Sequence, residues 1–161
     1  MLATVPADDH HTDDDYDLER FVRAQDDGGV YEAAVAELRC GRKSSHWMWF
    51  VFPQIAGLGF SATSRRYALP SLDAAADYLR HPVLGARLLE CAGIVAGTPD
   101  RTAEQIFGGV DAQKLQSCMT LFARAAPHEA VFGQVLERYF GGRGDPGTDE
   151  RLRRDPSPPN S

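Results

Sequence analysis

The chain has 161 residues, 43% of them apolar and 9% aromatic, with a formal charge of −6; this is enough for one packed core within the size of a single domain. No run of about 18 uncharged apolar residues occurs, and the start, "MLATVPADDHHTDDDYD", lacks the basic and apolar stretches of a secretory signal, so no membrane span is expected and a cytoplasmic location is. Cys40, Cys91 and Cys118 are widely spaced without a CxxC, which suits a reducing compartment and argues against a disulfide framework or a zinc ribbon.

In chain order, residues 1–14 are polar and acidic and are read as a disordered tail. Leu18, Phe21 and Val22 step by three and four, as do Tyr31, Ala34, Val35 and Leu38, so two amphipathic helices are predicted with Gly28-Gly29 between them. After the segment "KSSHWMWFVFPQ" and the glycine-punctuated "AGLGFS", Ser61 is placed to cap a short helix that carries Arg65 and Arg66 and ends before Pro70. Ser71 caps the next. Pro82 and Gly97 bracket a helix with Leu84, Leu88, Cys91 and Val95 facing inward.

"TAEQ" at 102–105 is a capping box opening a short turn that ends at Phe107, and Asp111 is placed to cap the strongest helix, with Leu115, Cys118, Met119 and Phe122 as its buried stripe. A last helix begins near Pro127, buries Phe132, Val135, Leu136 and Tyr139, and stops at Gly141-Gly142. Alternating strand patterns are absent. The prediction is an all-α domain over residues 15–142, a compact bundle of about six to eight short helices, followed by a flexible C-terminal tail over 143–161.

Charge marks one region as unusual. Between Glu37 and Asp73 there is no carboxylate, yet Arg39, Arg42, Lys43, Arg65 and Arg66 fall there, and "KSSHWMWFVFPQ" lies inside this window. The six residues from Trp47 to Phe52 are all apolar, so periodicity does not separate core from site, and core is the ordinary reading for any single one of them. For the block as a whole, the flanking Lys43, Ser44, Ser45, His46, Gln54, Arg66 and Tyr67 point to a pocket: aromatic faces beside donors and cations suit a ligand with a phosphate and a flat ring. Ser44 and Ser45, if they precede a helix, would add backbone amides for an anion.

The stretches "GRKSSHWMWFVFPQIAGLGFSATSRRYAL", "HPVLGARLLEC", "IFGGVDAQKLQSCMTLFARAAP" and "VFGQVLERYFGG" together closely resemble the bacterial family known as domain of unknown function 1810, over about residues 16–152. The resemblance implies a compact, soluble all-α domain. It places the family's characteristic side chains at His46, Trp47, Trp49, Pro53, Gln54, Gly57, Ser61, Tyr67, Asp111, Lys114, Ser117 and Thr120, with Ser45 and Arg66 compatible. Some members carry a calpastatin label, which this chain contradicts by having no disordered inhibitory repeats. The resemblance supplies no reaction.

Lys114, Ser117 and Thr120 share one helical face, read either as solvated surface or as a face closing over the aromatic block so that Lys43 and Lys114 clamp one anion. His46 is the candidate general base, although a capping or core histidine is as common a role. No histidine or cysteine spacing suggests a metal, and no cofactor is expected. Arg143-Gly144-Asp145 spells an adhesion tripeptide by accident. Few basic residues beside an acidic tail disfavour a nucleic-acid duplex as partner.

The expected function is binding of an anionic, ring-bearing small molecule such as a nucleotide or ADP-ribose derivative, with hydrolysis or group transfer if the protein is an enzyme. Lys43, Ser45, Trp47, Trp49, Gln54, Arg66, Tyr67 and Lys114 are the expected binding residues and His46 the catalytic one. The alternative is a non-enzymatic protein–protein interaction module anchored by exposed aromatics of the same block.

Overall fold

A computed structural model describes residues 16–154; the expected acidic tail at 1–14 and the last residues, 155–161, lie outside the described residues. Helices α1 (Glu19–Asp26) and α2 (Val30–Arg39) are joined by a tight turn at Asp27–Gly29, and one turn of helix, α3 (Met48–Val51), carries the aromatic block. Then come α4 (Ala62–Arg66), α5 (Leu72–Arg80), α6 (Leu84–Gly97), α7 (Ala103–Ala125), α8 (Ala130–Phe140) and α9 (Pro146–Arg153). Among the described residues no strand forms; a single parallel bridge joins Ile55 to Leu69. The fold is compact and all-α, as predicted.

Local chemistry accounts for several of the helix starts. Ser61 Oγ accepts from Ser64 N and Ser71 Oγ from Ala74 N, and Thr102 with Gln105 forms the full reciprocal capping box. The middle of the molecule is α7, which packs against α5, α8 and α9. Its Leu115, Cys118, Met119, Leu121 and Phe122 are all fully buried, at about 1.5–3 kcal/mol of gross transfer energy per large side chain. Phe122 meets Tyr78 of α5 at 5.5 Å and Phe132 of α8 at 5.7 Å between ring centres.

Two expectations are corrected. The break in α7 falls at Gly108, whose φ of 81° and ψ of 164° are open to glycine, so the helix resumes at Gly109. Asp111 therefore sits inside the first resumed turn and does not cap it. Residues 143–154 are not a flexible tail. Asp145 caps α9 by accepting from Thr148 N, Pro146 occupies the first turn, and the helix packs on α7. Arg124 of α7 makes a bidentate pair with Asp149 of α9, at 2.9 and 3.0 Å. Tail-like composition misled because the forces that hold α9 come from α7, distant in the sequence.

Candidate functional site

The loop before α3 is fixed by one carboxylate. Glu37, at the C-terminal end of α2, accepts from Ser44 N at 2.9 Å, Ser45 N at 3.1 Å, Ser45 Oγ at 2.5 Å and Trp47 Nε1 at 2.8 Å. Burial alone would raise this carboxyl, but the four donors outweigh it and hold it at about 2. The serine amides are thus engaged by Glu37 and stand ahead of Trp47, the residue that precedes α3, so they form no anion site at a helix start. The window empty of acids in sequence is not empty in space.

This tether seats the block asymmetrically. Trp47, Met48, Val51 and Phe52 are buried in the core, Trp47 with 1% of its surface exposed, whereas Trp49 and Phe50 are only half-buried. For four of the six residues the core reading holds. Trp49 is the indole that reaches open space.

A second carboxylate sits between the two lysines. Asp111 Oδ2 lies 2.9 Å from Lys43 Nζ and its Oδ1 3.0 Å from Lys114 Nζ. Burial would raise the Asp111 carboxyl, and the hydrogen bonds from Lys43 and Lys114 lower it instead. Lys43 and Lys114 do clamp one anion, and it is Asp111. Two ammonium groups against one carboxylate leave a net positive charge, which is presented to rings: Lys43 Nζ lies 4.9 Å from the Trp47 ring centre and Lys114 Nζ 4.2 Å from that of Trp49.

Trp49 is the wall common to three adjoining cavities. The largest, about 740 Å³, lies between Trp49, Gln54, the loop Leu58–Gly59, the α7 residues Val110, Gln113, Lys114 and Ser117, and Asp145 and Gly147 of the α9 start. A second, about 130 Å³, continues past Trp49 and Gln54 towards Ser64, Arg65 and Tyr67. The third, about 260 Å³, holds Lys43, His46, Thr63, Asp111 and Lys114. The volume of the first is in the range of small-ligand sites.

Gly57 and Gly59 let the connecting loop run close to its neighbours. Gly57 has φ +98° and a side chain there would strike the Arg151 guanidinium at 2.5 Å; one at Gly59 would strike Ser64 at 2.8 Å. The opposite wall is built by Asp145, which accepts from Ser117 Oγ at 3.1 Å, Gln113 Nε2 at 3.3 Å, Thr148 N at 2.9 Å and Thr148 Oγ1 at 2.6 Å. Its own N–H donates to Thr120 Oγ1 at 2.8 Å. The stripe Lys114, Ser117, Thr120 is therefore neither solvated surface nor wholly a cover for the aromatic block: Lys114 meets Trp49, and the two hydroxyls hold the α9 loop.

Of the expected site residues, Trp49, Gln54 and Lys114 meet at the largest cavity, Tyr67 lines the second, and Lys43, His46 and Trp47 line the third. Ser45 is committed to Glu37. Arg66 is exposed, stacks on the Tyr67 ring at 5.5 Å and lines none of the three cavities; its neighbour Arg65 does. Leu58, Gly59, Val110, Gln113 and Asp145 were not expected at the site, and Ser117 only as part of the face that closes over the aromatic block. For Asp145 the signal was present in "DPGT", a capping aspartate followed by proline at a first helical position. Among the described residues, no cluster of three or more His, Cys, Asp or Glu is placed to hold a metal ion, and no helix is long and apolar enough to cross a membrane.

Residues 15–152 match the family described as protein of unknown function (DUF1810). A comparison with curated proteins found no match. Among solved structures, the chain is similar to the conserved hypothetical protein Rv1873 of Mycobacterium tuberculosis, with 50% identity and a TM-score of 0.83 over 86% of this chain and 97% of that one.

Proposed function

The chain belongs to the DUF1810 family of proteins of unknown function, and on that premise we propose that the Trp49 cleft binds an anionic, ring-bearing small molecule such as a nucleotide or ADP-ribose derivative. One juxtaposition carries the reading: a half-buried indole walls a cavity of about 740 Å³ while the Lys114 ammonium stands 4.2 Å from its ring centre. Flat rings stack on such a wall, and an anion on the same molecule finds the uncompensated charge of the Lys43–Asp111–Lys114 group within reach. Gln54 and Tyr67 orient the ring. His46, exposed at the rim of the cavity it shares with Lys43 and Lys114, is the group placed to move a proton if the ligand is turned over.

The test is a thermal-shift and calorimetric screen of nucleoside 5′-phosphates and ADP-ribose against the folded chain. A rise in Tm with saturable heat is expected for at least one of them. A Tm that stays flat for every phosphorylated compound defeats the proposal. One observation favours a second reading, a protein partner: Phe60, next in the chain to the lining Gly59, and Val110, which lines the cleft, are 83% and 72% exposed. Replacing Phe60, which lines none of the three cavities, with serine separates the two, since small-molecule binding survives under the first reading.

A further inference from the structure

We infer that Gln54 is the specificity-determining residue of this cleft, and that the planar part of the ligand carries a carbonyl oxygen which the Gln54 amide receives; the inference rests on the ligand-binding reading above. Gln54 is 8% exposed, and among the described residues its Nε2 is the one buried side-chain nitrogen or oxygen with no hydrogen-bond partner. Buried amide groups are nearly always paired, because a lone one forfeits its hydration without return. The backbone beneath it has no slack. Leu69 N donates to Gln54 O at 2.9 Å and Ala56 N to Leu69 O at 2.8 Å, so the Ile55–Leu69 bridge pins the chain just after Gln54.

The chemistry of the unmet group selects the ligand. A primary amide nitrogen only donates, so its partner is an acceptor. It is neutral, and a cation, Lys114, already lines the same cavity for an anion. Gln54 therefore suits the uncharged acceptor of the ring and leaves the phosphate to the lysines. Its side chain lies where the largest cavity meets the smaller one of about 130 Å³, which has room for the edge of one ring and little more. Nε2 itself is covered, and rotation about the terminal torsion, a broad one, turns its N–H to the opening.

The experiment is calorimetric titration of the full chain with two pairs of probes that share a 5′-phosphate: inosine against adenosine monophosphate, and uridine against cytidine monophosphate. Each pair exchanges a ring carbonyl for an amino group. The wild type is expected to bind the carbonyl member of at least one pair about tenfold tighter. Gln54→Leu is expected to bind both members alike, at the weaker affinity, and Gln54→Glu, whose carboxylate accepts, to reverse the order. Gln54→Leu should melt no lower than the wild type, because it removes an unmet amide; Gln54→Met serves as a second apolar variant of similar length. Equal binding of both members by the wild type, or a preference that survives in the apolar variants, overturns the assignment to Gln54 while the cleft proposal stands. If no member of either pair binds the folded wild type, the assignment falls with the nucleotide reading it rests on.

Discussion

The Lys114 ammonium stands 4.2 Å from the centre of the Trp49 ring. Trp47, two residues earlier, is buried in the core and spends its N–H on Glu37. The two indoles should therefore separate cleanly by substitution. Trp47→Ala is expected to cost about 3–5 kcal/mol of stability. Trp49→Ala, partly exposed, is expected to cost about 1 kcal/mol or less and to weaken ring-bearing probes by about tenfold or more. Urea unfolding and probe titration on both variants check this. The intrinsic fluorescence change on binding should vanish in Trp49→Phe and persist in Trp47→Phe.

Asp111 already occupies the place between Lys43 and Lys114 that an incoming anion would seek. Asp111→Asn leaves two ammonium groups with no carboxylate between them, one on a side chain only 8% exposed. Stability is expected to fall by about 2–3 kcal/mol, and affinity for a phosphorylated probe to rise several-fold, most at low salt. The opposite pattern, unchanged stability with lost binding, would make Asp111 a ligand contact in its own right. Unfolding and calorimetry at two ionic strengths distinguish the outcomes.

The Glu37 carboxyl, held at about 2 against an ordinary 4.5, makes the aromatic loop sensitive to acid. Because its folded value is the lower one, its contribution is present above pH 4.5 and is lost as pH falls from there towards 2. Glu37→Gln keeps one acceptor and loses the charge. It is expected to be about 1–2 kcal/mol less stable at pH 7, with the gap narrowing steadily through the acid range as the wild type loses its carboxylate. Guanidinium unfolding of both proteins at several pH values reads this directly.

Helices whose stability is local were legible residue by residue. Ser61, Ser71 and the Thr102–Gln105 pair cap as predicted, because a cap is chemistry among residues three apart, and the α7 stripe buries as its spacing dictates. The site was only half legible. Trp49, Gln54 and Lys114 announced themselves by type and neighbourhood, but which of the two tryptophans faces outward depends on Glu37. Whether the lysines are free depends on Asp111. Lys43 and Asp111 lie far apart in the chain, and although Glu37 stands only ten residues from Trp47 and Asp111 three from Lys114, hydrophobic spacing says nothing of such polar pairings. Arg66 failed for a related reason: on a short helix, neighbours point to different sides, and Arg65 has the cavity.

The same dependence on distant partners makes Asp145 the best test of the cleft's outer wall. It is 5% exposed, caps α9 through Thr148 and reaches Ser117 and Gln113 on α7, so a single carboxylate ties the start of α9 to the cavity. Asp145→Ala removes the cap and leaves buried hydroxyls of Ser117 and Thr148 without this acceptor, at an expected cost of about 2–3 kcal/mol. Because this residue and the Arg124–Asp149 pair both tie α9 to α7, hydrogen exchange in residues 146–153 should rise far more than exchange in α5 or α6. Probe affinity should fall with it, since Gly147 and Asp145 line the largest cavity. A variant with fully protected α9 amides would show instead that the helix stands on its apolar contacts, with the cap a passenger.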